Sequence, residues 1–515
     1  MKNSSAELPH GWNKATLGDL ITLIVGGGTP SRNVAAYFDG NTPWFTVKDL
    51  KSLYPTDAEE HISDDAILRS ATSLIEANTL IIATRIALGK AIIPNVRCAI
   101  NQDLKALYLG RDVPPKFILY WFMANDQMIK SHGSGTTVKG IRLEHVKEFP
   151  LKVPPAREQC RIVDRIEELL SYLDAGIAEM KSAQRKLAKY RQSLLKAAVE
   201  GTLTADWRAA YAQNCETQET GAELLQRILT ERRTRWEAKQ LAKFAKQGKA
   251  PPNGWRIKYL EPIAPNVDNL PALPDGWTWA SVDQLSPDDL ANGRSVPSSI
   301  SGAKVLRLTS VKEGKIDLSE FKHGNWSDDE ARQFLVAEGD LLIIRGNGSL
   351  SLVGRAGIVT SVTEQVAYPD TMIRLRIVDS VVRTRWVAAL WDSSLVRGHM
   401  EARARTSAGI YKISQPDIIS VVVPIPPISE QDKILTVLDR SADDFQALQD
   451  SLVIAERQSS AQRKNILKAA FSGELVPQDP NDEPASVLLK RIRAERVAAD
   501  AKRTGKTARK TKERT

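Results

Sequence analysis

Only a few places in the chain hold residue types that could do phosphate or metal chemistry. Gly505-Lys-Thr507 has the end of a phosphate-cradling GxxxxGK[ST] loop, but Asp500 stands where the first glycine is needed. Gly26-Gly-Gly28 follows an apolar run, yet Thr29-Pro30 comes next and no GxGxxG forms, so a tight turn is the expected role. Pro287-Asp288 and Glu313-Gly-Lys315 place carboxylates and a lysine in a metal-nuclease order. That order tolerates wide spacing, and Ser286-Pro-Asp-Asp289 reads as a turn. His10, His61, His132, His145, His323 and His399 are scattered singly, and Cys98, Cys160 and Cys215 form no CxxC pair. Neither set suggests a metal site, and the unpaired cysteines fit a reducing compartment. The Asn/Asp/Ser-Pro-Pro-aromatic loop of an amino-methyltransferase is absent from the sequence. The chemistry expected is binding, with no catalytic residue and no metal.

The elements that would position a binding surface occur twice. Leu8-Pro-His-Gly-Trp12 returns as Leu273-Pro-Asp-Gly-Trp277, and Asn78-Thr-Leu-Ile-Ile82 is echoed by Gly339-Asp-Leu-Leu-Ile343. Pro154-Pro-Ala-Arg-Glu-Gln159 returns as Pro426-Pro-Ile-Ser-Glu-Gln431. Leu195-Lys-Ala-Ala198 with Gly201 returns as Leu467-Lys-Ala-Ala470 with Gly473, and Leu224-Leu-Gln-Arg-Ile228 as Leu488-Leu-Lys-Arg-Ile492. The offsets stay between 261 and 272 and the order is the same, so the chain is two copies of one unit.

Each copy has a mixed part and a helical part. Short apolar runs such as Thr79–Ala83, Leu104–Leu109, Asp340–Ile344 and Met372–Ile377 alternate with helix-like stretches, punctuated by Gly and Pro, and predict two α/β (α+β) domains. After each double proline, apolar residues recur every three to four positions, from Ile162 to Leu194 and from Ile434 to Ala470. That seam predicts two long coiled-coil-like helices, the first about 63 Å long. Packed antiparallel, they would give the molecule an internal pseudo-twofold. The expected segments are 1–153 and 266–425 as domains, 154–203 and 426–476 as long helices, 204–265 as a connector with a basic helical stretch from Ala222 to Lys249, and 477–515 as a basic tail.

Composition is that of an ordinary globular chain, 42% hydrophobic and 26% charged, without an apolar run long enough for a membrane or a signal peptide. The expected place is the cytoplasm. Net charge is +9, and from Lys490 onward eleven Lys and Arg face three acidic residues, which makes the tail a candidate for phosphate contact.

The residues now in view resemble the specificity subunit of a type I restriction-modification enzyme. The resemblance rests on Gly27-Gly-Thr-Pro-Ser31, Pro43-Trp44, Asp49-Leu50, Gly135-Thr-Thr137 with Gly140-Ile141, and the double-proline Glu-Gln helix starts. Ser407-Ala-Gly-Ile-Tyr-Lys412 supplies the counterpart in the second copy. It covers roughly residues 8–475 and implies a non-catalytic subunit that binds double-stranded DNA through two domains, each reading half of an asymmetric split site. It also implies two modification (methyltransferase) subunits docked on the helices and restriction (motor-nuclease) subunits joined through the complex. S-adenosylmethionine, ATP and Mg would sit on those partners, with no cofactor in this chain and no membrane.

Side-chain chemistry nominates the DNA-facing residues, because base edges suit Arg, Lys, Asn and Ser/Thr, and phosphates suit Lys and Arg. In the first domain these are Thr29, Ser31, Arg32, Lys48, Arg85, Ser134, Thr136, Lys139 and Arg142. In the second they are Lys312, Arg345, Asn347, Ser349, Arg355, Arg403, Arg405, Ser407, Tyr411 and Lys412. Leu194, Leu195, Val199, Ile466, Leu467 and Phe471 are expected to meet partner subunits, with Val199 and Phe471 left exposed on the chain alone. Trp12 and Trp277 are expected to pack. Competing readings are a coiled-coil adaptor without DNA reading and a stand-alone DNA enzyme with a cryptic site.

Overall fold

A computed structural model describes residues 7–134, 139–214, 219–268, 270–379, 382–407 and 409–512. The architecture is mixed α/β with long helices, and the chain divides into two compact units. One unit is Met1–Lys181 with Ser451–Thr515, the other Ser182–Asp450. Both long helices, Ala156–Val199 and Ile428–Ser472, therefore begin in one unit and end in the other.

Each α/β domain is closed by a ribbon joining its two ends. Asn13–Thr16 pairs antiparallel with Pro150–Val153, and Thr278–Ser281 with Val422–Ile425. A short capped helix follows each first strand: Asp19 caps back to Thr16, and Gln284 to Ser281. In the first unit a four-stranded sheet runs Ile21–Gly26, Leu104–Leu109, Leu80–Ala83, Ala91–Ile92. A second runs His61–Ile62, Thr42–Phe45, Cys98–Ile100, Leu74–Ile75. The second unit has a six-stranded sheet with Leu341–Ile344 near its centre. Leu80–Ala83 and Leu341–Ile344 are buried at every residue, so these unbroken apolar runs form central strands.

The repeated motifs meet at the helix starts. Trp12 Nε1 donates to Glu158 Oε1 at 3.0 Å, and Trp277 Nε1 to Glu430 Oε2 at 2.8 Å. Both indoles are buried, as packing residues would be, and all four Glu-Gln side chains are buried with them. Gln159 and Gln431 each fold back to the first proline's carbonyl at 2.9 Å. The end of the other copy's long helix completes each junction. A Cβ on Gly473 would lie 2.4 Å from Pro9, and one on Gly201 equally close to Pro274. Both glycines have positive φ, the C-terminal stop read from the sequence.

The helix beyond each stop docks on the same domain. Ala485 N donates to Gly11 O, and Gly221 N to Gly276 O. The stretch 204–265 holds the helices Ala205–Asn214 and Gly221–Lys246, the second at the place of the expected basic helix, and Leu224 and Ile228 sit in the second unit's core. The stretch 477–515, expected as a basic tail, holds the helix Ala485–Lys512, with Leu488, Leu489 and Ile492 in the first unit's core. The Leu-Leu-x-Arg-Ile repeat is thus a buried helix face. Several tail arginines face the domain: Arg491 pairs with Asp112, and Arg496 donates to the carbonyls of Gly18 and Ile21.

The same burial corrects the partner-binding expectation. Leu194, Val199, Ile466 and Leu467 are buried in the cores, because the domains clasp the helix ends. Phe471 is half-buried and meets Phe117 with ring centroids 5.3 Å apart. Leu195 is half-exposed on a cleft wall.

The two buried glutamates are not equivalent. Glu430 also accepts from Thr204 and is held by Arg208 at 2.8 Å. Beside Glu158, Arg161 turns instead to Asp482 at 2.7 Å. Burial raises the Glu158 carboxyl above its ordinary value, against the lowering effect of the Trp12 bond. The fold therefore binds this proton more tightly than the unfolded chain does. The resulting stabilisation is full below about 4.5, the unfolded value, and is lost as pH rises through the higher folded value. Glu430→Gln should cost about 3 kcal/mol by stranding Arg208. Glu158→Gln should cost less at pH 7 and should flatten the pH dependence of stability above pH 4.5, as followed by denaturant melts of both variants.

Candidate nucleic-acid interface

Two loop clusters gather the candidates of the first domain. In one, Gly28 O accepts from Trp44 Nε1 at 3.2 Å and from Thr72 Oγ1 at 2.6 Å. A Cβ on Gly27 would lie 2.0 Å from Ile100 O. Gly26, Gly27 and Gly28 have no positive φ, so the glycine run serves close backbone approach rather than the expected tight turn. Thr29, Arg32 and Lys48 then line one cleft with Gln102 and Asp103. Arg32 lies 4.4 Å over the Phe38 ring and forms a two-pronged pair with Glu60 at 3.2 and 2.7 Å. Thr46 and Asp49 cap the turn that carries Lys48 outward.

In the other cluster, Ser134 and Gly140 exchange backbone hydrogen bonds, Ile86 N donates to Lys139 O, and Ile141 N to Thr84 O. Arg85 reaches Asp103 at 3.3 Å, which ties the clusters together. Lys105, which motif reading missed, belongs here. Its burial, with Arg85 adjacent, holds its ammonium below the ordinary value although Asp103 opposes the shift. Its only signal was a lysine in an otherwise apolar strand. Ser31 and Arg142 are exposed at the edges, and Thr136 lies outside the described residues.

The second domain builds the equivalent surface as a three-stranded sheet of Gly346–Asn347, Ile410–Lys412 and Arg405–Ser407. Its register pairs Asn347 with Tyr411, and Lys412 with both Gly346 and Arg405. Directly paired residues share a face, so Asn347 and Tyr411 stand on one face and Lys412 and Arg405 on the other. Ile413 N donates to Arg345 O as Ile141 does to Thr84 in the first domain. Asn347 Oδ1 accepts from Ser349 N at 2.9 Å. Asn347 and Arg355 share a small cleft, and Arg403 ends the helix Ser394–Arg403.

Lys312 differs from expectation. It is held by Asp317 at 2.8 Å and Glu320 at 2.9 Å. A hydrogen bond from Lys312 lowers the exposed Asp317 carboxyl to about 2. Glu313, from the nuclease-like set, forms the turn of the Lys312–Lys315 hairpin, and Asp288 pairs with Lys239. Among the described residues no group of acidic, histidine and cysteine side chains is arranged to hold a metal, and no helix is long and apolar enough to cross a membrane.

The free cations give a direct test. Among the described residues no carboxylate lies within ion-pair distance of Lys48, Lys139 or Lys412. Lys48→Ala, Lys139→Ala and Lys412→Ala should each reduce the salt dependence of duplex affinity by about one phosphate contact. Lys312→Ala, whose charge is already spent on two carboxylates, should leave that slope unchanged in fluorescence-anisotropy titrations.

Residues 9–181 match the sequence model described as the type I restriction modification DNA specificity domain. Along almost its whole length the chain is similar to the type I restriction enzyme EcoKI specificity subunit of Escherichia coli (strain K12), 24% identical over 98% of this chain and 99% of that protein. It is also similar to the StySPI specificity subunit of Salmonella potsdam, 22% identical over 97% and 98%. Among solved structures, a chain from a study of complex assembly in the type I R-M system shares the fold with a TM-score of 0.60 and 17% identity. That match covers 91% of this chain and 99% of the other.

Proposed function

The chain belongs to the specificity subunits of type I restriction-modification enzymes, and from that premise we propose that its two α/β domains read the two halves of an asymmetric, bipartite DNA site. A specificity subunit supplies DNA recognition and leaves catalysis to its partners. The observation that carries the two-half reading is one backbone frame presenting different side chains. The loop after each central strand takes the same hydrogen bond from the returning segment, Ile141 N to Thr84 O and Ile413 N to Arg345 O. One frame then shows Arg85 and Ile86, the other Gly346 and Asn347. Equal frames with unequal readers call for unequal half-sites.

The long helices, 44 and 45 residues, then run antiparallel and set the unread gap. Two ion pairs support this arrangement: Arg463 meets Asp174 and Lys181 meets Glu456, so seven residues forward along one helix is seven residues back along the other. Two modification subunits dock on near-equivalent helix surfaces. Exposed Tyr172, Tyr190, Val453 and Ile454 are the apolar side chains available for that contact. The restriction subunits join through the complex, S-adenosylmethionine, ATP and Mg belong to the partners, and the assembly works in the cytoplasm.

The gap-setting role is tested by lengthening one helix. Four residues inserted after Gln184 add a rise of about 6 Å and turn the helix end by about 40°. Base pairs are about 3.4 Å apart, so the preferred gap should change by one or two base pairs while both half-site sequences stay the same. Binding to duplexes with stepped gaps reads this out. A fixed gap in a folded, DNA-binding variant would move the ruler to residues 204–265.

A further inference from the structure

Three non-glycine residues among those described have φ in the left-handed region: Asn78, Ile86 and Glu313. Two have local reasons. Asn tolerates this conformation, and Glu313 with Gly314 forms the two-residue turn of a hairpin, which demands it. Ile86, at φ 65°, has none. It is β-branched, the side-chain class least suited to that backbone. Its turn is closed by Ala87 N donating to Arg85 O at 2.7 Å, a three-residue turn of the rarer, strained hand.

The strain does not serve the core, because Ile86 is 59% exposed. It leaves an apolar side chain exposed in the loop that also carries Arg85, and its own N–H is fixed by Lys139 O at 3.0 Å. Strain of this kind is kept where surrounding structure imposes it, often at ligand-contacting sites. Asn347 follows the equivalent strand two residues beyond Arg345, as Ile86 lies two beyond Thr84. Asn at that place suits the edge of adenine. An apolar side chain in the major groove suits the 5-methyl group of thymine.

We propose that Ile86 is a base-reading residue of the first domain, packing against a thymine methyl group in one half-site. The assignment rests on the reading of the chain as a bipartite DNA reader. Selection from randomised duplexes by the full chain with its modification subunits gives the preferred site. Deoxyuridine, which lacks only the methyl group, is then substituted for each thymine in turn. Wild-type affinity should fall about fourfold at one position of one half-site, the value of a single buried methyl. Ile86→Gly, which accepts the backbone without strain, should melt no lower than wild type, lose that position's preference and show no deoxyuridine penalty there. Ile86→Asn, also tolerant of the turn, should lose the same penalty, with the other half-site unchanged in both variants. A sequence-selective wild type that is indifferent to deoxyuridine everywhere, or a penalty that survives Ile86→Gly, would overturn the assignment alone. A wild-type complex with no sequence preference would overturn the DNA-reading function and the Ile86 assignment together.

Discussion

A buried carboxylate accepting from a buried indole is the constraint on which each half of the molecule is built. Glu158 and Glu430 sit in the first turn of the long helices, where the helix dipole favours a negative charge. Burial would make either carboxylate costly without a donor, and Trp12 and Trp277 supply one. Those tryptophans follow Gly11 and Gly276, both at positive φ, and the carbonyls of the same glycines receive the helix that follows the other copy's long helix. The start of a domain, the start of one long helix, the end of the other and the next helix therefore meet at one point. A change at that point disturbs all four, which is why the repeated motifs cluster in these positions.

What differs between the halves is layered on this common frame. Arg208 pairs directly with Glu430, whereas Arg161, beside Glu158, makes its ion pair with Asp482. The loops proposed to read the half-sites vary more. A bridge through Gly140 in one domain becomes a three-stranded sheet in the other, and Ile86 gives way to Asn347. The framework can stay constant because its bonds are buried, while exposed loop residues are free to change.

Much of the fold was legible because its signals are local. Leu104–Leu109 forms the strand its pattern announces, and Gly201 and Gly473 end their helices at positive φ. Long-range consequences were not legible. Nothing near Asn13 announces its pairing with Val153, and nothing near Val199 says that the second domain's core will cover it. The candidate site was legible by residue type only. Arg32 and Lys312 look like free cations in the sequence, but carboxylates well separated from them along the chain, Glu60 for Arg32 and Glu320 for Lys312, claim them in the fold. Ile86 carries no sequence signal at all, because the strain that marks it is imposed by Lys139, far along the chain.

The central claim is that one chain reads two different half-sites across an unread gap. Mapping methylated adenines by single-molecule sequencing, in DNA from cells that express the chain with its modification subunits, tests it most directly. The account predicts methylation at a split motif with two dissimilar halves and a fixed gap of unspecified bases. Methylation at a single continuous motif, or at two identical inverted halves, would contradict it.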